Sequence, residues 1–242
     1  MVTPAVLPPV SCLLHTLGRN TGGKDRQRYG VILPRSMAKI TSIYSVHPSV
    51  AFVTNWRESL KEQTGRSLAA WLTLVKASGP PGEKERIAWL KQEHRLGTNS
   101  AIWIAQRASG KEADMDSPET YLKAADKYVN SMFRGPYSPL RPLYDELLRL
   151  GLSMGEDVKA CPCKTMVPLY RNHVFAQIKP ATRTRVDFGF ALGARKREGR
   201  LIETGGYEKK DRITHRIGIE SLDQIDAEVK RWLKAAYDED TE

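Results

Sequence analysis

The sequence predicts an α+β protein, with a small N-terminal helical bundle followed by an antiparallel sheet packed by helices. Three observations predict it. Apolar residues recur at spacings of three and four from Val50 to about residue 112. The period falls to two between Lys164 and Ile219. A capping box, Ser221-Leu222-Asp223-Gln224, then opens a last helix with an apolar stripe.

The helical module, residues 50–112, begins with Val53, Trp56 and Leu60 on one face and stops at Gly65. Ser67 is the predicted N-cap of a second helix whose stripe is Leu68, Trp71, Leu72 and Val75. Gly79-Pro80-Pro81-Gly82 breaks the chain. A third helix, Glu83–His94, buries Ile87 and Leu90, with Gly97 as its C′ residue. Thr98 or Asn99 caps a fourth through Ile102 and Ala105. The third and fourth helices resemble a helix-turn-helix in outline. A recognition helix contacts bases through its early residues, here Ser100, Ala101 and Ile102, and its cations Arg107 and Lys111 come late. An ordinary bundle is the expectation.

The α+β module, residues 113–242, opens with Ser117-Pro118-Glu119, an N-cap, an N1 proline and a first-turn acid. That helix buries Leu122, Ala125, Val129, Met132 and Phe133 and ends at Gly135-Pro136. A second helix carries Leu143, Leu147 and Leu150, with Gly151 near its end. Strands are predicted over 164–171, 174–179, 184–192, 201–203 and 213–219, with Asn172-His173 as a tight turn. In 184–192 the residues Val186, Phe188, Phe190 and Leu192 share one face, and Arg183, Arg185 and Asp187 the other. The stripe of the last helix is Leu222, Ile225, Val229, Trp232, Leu233 and Ala236.

Residues 1–49 are expected to be a disordered extension. Residues 1–36 carry Pro4, Pro8, Pro9, Pro34, Gly22-Gly23 and five basic residues against one acid. No secretory signal is expected, because Pro8-Pro9 interrupts the would-be apolar core. Met37 is a candidate true start. No apolar run approaches the roughly 20 residues of a membrane-spanning helix. Three cysteines make no disulfide framework, so a reducing, cytoplasmic location is expected. Cys161-Pro162-Cys163 has no second Cys/His cluster to complete a zinc site, and neither metal nor cofactor is expected.

The charge points to a partner. The chain carries a formal +10, and between Lys159 and Arg216 stand fourteen cations against five acids, a net of +9. Lys164, Arg171, Lys179, Arg183, Arg185 and Arg216 are the candidate anion contacts, with Phe175, in phase with Lys179, as a stacking platform. The leading expectation is a non-enzymatic module that binds nucleic acid or another polyanion through this sheet face. A solvated face, with Asp187 paired to a neighbouring arginine, accounts for the same residues. An alternative is an enzyme with a site near His215, Asp187 and Arg185. His173, in the turn, is the other histidine candidate. Cys163 has no local motif that makes it a nucleophile with His173. A metal-nuclease string from Asp187 to Glu208-Lys209-Lys210 puts Glu208 in a loop. A protein–protein adaptor is the third expectation, and it requires an exposed apolar patch on the helical module. Oligomeric state is not legible.

The motifs also carry a resemblance. Leu60-Lys61-Glu62-Gln63-Thr64-Gly65-Arg66-Ser67, Trp71, Lys76, Gly79, Glu85–Lys91 and Leu96-Gly97 resemble a small Trp-rich helical bacterial domain of unknown function. Gly135-Pro136, Asp145, Gly155–Val158, Lys164-Thr165, Phe175-Ala176, Ile178–Pro180, Thr184–Asp187, Thr214–Arg216 and the Trp232 helix resemble an uncharacterised basic α+β domain often found after it. The resemblance implies a tandem over about 50–240 and brings no catalytic residues. Relatives sometimes carry the label of predicted transport protein. Pro168–His173 is less basic here than the family pattern.

Overall fold

A computed structural model describes residues 42–111 and 114–241, and the readings made on 1–41 lie outside the described residues. The chain divides into two compact units, Val46–Ala124 and a second made of the described residues up to Ser45 together with Ala125 onward.

The first unit holds helices α1 (Ser49–Thr64), α2 (Leu68–Ser78), α3 (Glu83–Gln92) and α4 (Thr98–Ala108). Gly65 closes α1 at φ 73°, and the Ser67 hydroxyl accepts the Ala70 N–H to cap α2. The left-handed residue after α3 is Arg95, φ 54°, and not Gly97, which instead serves as the N-cap of α4. The core is Val53, Trp56, Leu60, Trp71, Val75, Leu90, Leu96, Ala101, Ile104 and Ala105. The predicted stripes of α1, α2 and α3 fall inside it or against it.

Helix α5 (Pro118–Met132) starts at Ser117, whose hydroxyl accepts the Thr120 N–H. The boundary between the units falls within this helix. A 3₁₀ turn over Gly135–Leu140 leads into α6 (Arg141–Leu152). Six antiparallel strands follow: β1 (Lys159–Ala160), β2 (Val167–Tyr170), β3 (Val174–Pro180), β4 (Val186–Phe190), β5 (Ile202–Glu203) and β6 (His215–Ile219). Their order is β1-β2-β3-β4-β6-β5. Helix α7 (Ala227–Glu239) ends the unit.

Residues opposite one another across the ladder share a face. One face carries Ala176, Phe190 and His215 in one row, and Ile178, Phe188 and Ile217 in the next. All six are buried. Helix α6 lies on this side, where Gly151 leaves the room that the Leu169 side chain fills. The other face carries Gln177, Gly189 and Arg216, then Lys179, Asp187 and Gly218.

The last helix starts later than its sequence predicts. Asp226 caps α7 by accepting the Glu228 and Val229 N–H groups. Ser221–Gln224 forms only a 3₁₀ turn, in which the Gln224 side chain accepts the Glu220 N–H and Leu222 is exposed. The predicted capping box and the placement of Leu222 in the stripe are thereby corrected.

The second unit also takes in chain that precedes the helical one. The Ser45 N–H donates to the Ala160 carbonyl at 2.9 Å, and the buried Tyr44 and Tyr144 hydroxyls meet at 3.0 Å. Burial holds both phenols above the ordinary tyrosine pKa. Tyr144→Phe would strand the Tyr44 hydroxyl, at an expected cost of about 1–3 kcal/mol. Urea unfolding checks this, and a loss below about 0.5 kcal/mol would refute it.

Candidate nucleic-acid interface

The face opposite the core concentrates the predicted anion contacts. Strand alternation sets Asp187 on it between Lys179 and Gly218. One oxygen of Asp187 accepts from Arg185 Nε at 2.9 Å and from Arg216 Nη1 at 3.2 Å. Arg185 reaches it by lying over Gly218, where a Cβ would sit 2.7 Å from Arg185 Cδ. Both guanidiniums therefore keep most of their N–H groups for an incoming acceptor. Lys179 and, at the β3–β4 hairpin, Arg183 are exposed beside them.

Phe175 is not on this face. β2 pairs Leu169 with Ala176 but Tyr170 with Val174, so Phe175 is the extra residue of a β-bulge. The bulge breaks the period of two, and the ring is fully buried, edge-on to Tyr237 of α7 at 5.6 Å between centroids. It offers no stacking surface. Lys164 lies over the Tyr128 ring at 5.9 Å and Arg171 over the Tyr237 ring at 4.3 Å. Arg171 also binds Asp157 at 2.8 Å, which holds that carboxyl below its ordinary pKa.

Part of the +9 stretch is answered by acids from elsewhere in the chain. Arg200 pairs with Asp226 and Glu228, Arg195 with Glu239, and Arg212 with Asp240. These acids come with α7 and its ends.

His173 belongs to the same packing. Its backbone N–H donates to Asp240 Oδ2 at 2.9 Å and its Nδ1 to Oδ1 at 3.1 Å. Asn172 Nδ2 donates to the Asp240 carbonyl, and Arg171 Nη1 to that of Tyr237. The β2–β3 turn thus satisfies carbonyls at the C-terminal end of α7.

His215 is buried on the core face, so strand alternation separates it from Asp187 and Arg185. Its Nε2 donates to the Arg195 carbonyl at 2.9 Å, and its Nδ1 accepts from the Thr214 hydroxyl at 2.8 Å. That hydroxyl in turn accepts the Leu192 N–H. Nε2 is thus committed to the loop after β4 and Nδ1 to Thr214, the residue before β6. A cavity of about 230 Å³ is lined by His215 itself, by Arg195 and Lys196 of this loop, and by Glu203, Tyr207 and Glu208. Glu208 lies in a turn. The structure does not assemble the three residues of the predicted enzyme site.

Residues 129–240 match the family model described as Domain of unknown function (DUF5655), and residues 54–109 the one described as Domain of unknown function (DUF4287). The chain carries these two domains in tandem. No curated protein and no solved structure matches it. The cationic face described above thus lies in the DUF5655 domain. In the DUF4287 domain, Arg107 of α4 pairs with Asp116 and stacks on Trp56, so this late cation is bound within its own unit. In the unit Val46–Ala124 the exposed large apolar side chains are Val46 and Phe52, which precede the DUF4287 match. Among the described residues no group of three His, Cys, Asp or Glu side chains could hold a metal ion. None of the described helices is long and apolar enough to cross a membrane. The side chains of Cys161 and Cys163 are buried, and burial pushes the Cys161 thiol up to about 12.

Proposed function

We propose that the DUF5655 domain is a non-enzymatic binding module for an anionic partner, a nucleic acid in the first instance. The observation that carries this is the Asp187-bridged pair Arg185 and Arg216 on the face away from the core, with Lys179 in the next row. Lys179 stands opposite Asp187 across the ladder, and Arg183 is exposed at the β3–β4 hairpin. With Phe175 buried, the predicted stacking platform is lost, and the reading shifts from bases to phosphates. Such contacts position a strand without reading its sequence.

The test is binding of the full chain to short labelled oligonucleotides across a salt series. Three to four neutralised phosphates give an expected slope of log K against log salt of about −3. Lys179→Glu should weaken binding and flatten that slope by at least about one. Wild-type protein with no affinity at low salt, or with a flat salt dependence, rejects the function.

A further inference from the structure

We infer that Asp187 is a positioning residue, which fixes Arg185 and Arg216 as one chelate for a single phosphodiester group. This rests on the binding function proposed above and goes further, because it replaces a diffuse positive surface with a built site. Three observations carry it. A single carboxylate oxygen accepts from both arginines, so the two forks converge on one point. The side chains of the triad are 32%, 18% and 29% exposed for Arg185, Asp187 and Arg216, so they are held against the sheet and still reachable. Gly218 leaves bare backbone where Arg185 lies flat, and any side chain there would displace it.

Two arginines on an open strand lose side-chain entropy when they close on a ligand. Tethering them beforehand removes much of that loss, and the planar fork suits two oxygens of one phosphate. Asp187 lowers the net charge of the face, so charge and geometry make opposite predictions for its neutralisation.

Asp187→Asn raises the net charge by one and removes the anionic tether. The chelate expects oligonucleotide affinity to fall about fivefold or more at fixed salt. A diffuse surface expects affinity to rise and the salt slope to steepen by about one. Gly218→Ala changes no charge and pushes Arg185 off the sheet, so the chelate expects the same direction of loss. Arg185→Lys keeps the charge but not the fork, and it too should weaken binding. Inorganic pyrophosphate should displace the oligonucleotide at lower charge concentration than polyglutamate does. Far-UV circular dichroism verifies that each variant is folded, and the two charge-neutral variants serve if Asp187→Asn is not. Wild-type binding with Asp187→Asn, Gly218→Ala or Arg185→Lys at equal or tighter affinity overturns the inference while leaving the binding function intact. Absence of wild-type binding overturns the function itself.

Discussion

Phe188→Ala is expected to destabilise the DUF5655 domain by about 3–5 kcal/mol, the largest loss foreseen for any single substitution discussed. Phe188 is fully buried, pairs with Ile178 on one side and Ile217 on the other, and packs its ring 4.8 Å from that of Phe190. Truncation removes the ring from the middle of the sheet's apolar face, where rigid strands limit collapse into the space. Lys179 lies in the neighbouring row on the opposite face, and Lys179→Ala should stay within about 0.5 kcal/mol. Urea denaturation followed by far-UV circular dichroism compares the two. A Phe188→Ala loss under about 1 kcal/mol, or a Lys179→Ala loss as large as that of Phe188→Ala, would contradict the assignment of faces.

That contrast rests on a pattern legible in the sequence. β4 has one face on the core and one away from it, so hydrophobic and polar residues alternate cleanly from Arg185 to Phe190. The stripes of α1, α2 and α6 are legible for the same reason at the helical period. β1 is missed because two residues carry no period. The bulge that turns Phe175 inward is set by the register between Leu169-Tyr170 and Val174–Ala176. Register is a property of two strands, and a single strand read alone gives the wrong face. Asp226 escaped notice as the α7 cap because Ser221 offers an equally good local signal five residues earlier.

The charge was legible as a sum and not as a map. Fourteen cations against five acids describes the stretch 159–216, but Asp226, Glu228, Glu239 and Asp240 lie beyond it in the chain and beside it in the fold. Local counting cannot find partners that arrive with a helix packed back onto the strands. Lys179 and Arg183 stay exposed on β3 and its hairpin, and so do Lys196, Arg197, Lys209 and Lys210 in the loops after β4 and β5. His215 shows the reverse case. Its alternation with Ile217 and Ile219 sets it on the core face, and both ring nitrogens are hydrogen-bonded there.

Asp240→Ala is expected to cost about 2–3 kcal/mol, second only to the loss of Phe188. The carboxylate is 1% exposed and accepts from the His173 backbone, the His173 ring and Arg212. Breaking a fully buried pair costs about 3–5 kcal/mol because the surviving charge is stranded. Here the ring of His173 and Arg212 are 55% and 39% exposed and regain water, which lowers the figure. The His173 amide has no such recourse. Asp240→Asn should recover only part of the loss, since its amide nitrogen turns a donor toward donors. The effect should concentrate where the clamp acts. Hydrogen exchange over residues 227–239 should quicken in Asp240→Ala, with the β4–β6 ladder protected as before until global unfolding. His173→Ala should reproduce a smaller version of the same local loosening and leave oligonucleotide binding unchanged, because this turn braces α7 and lies outside the Asp187 chelate. Unchanged exchange in α7 after Asp240→Ala would show that the clamp does not hold the helix. A binding defect in His173→Ala would return that histidine to the list of site residues.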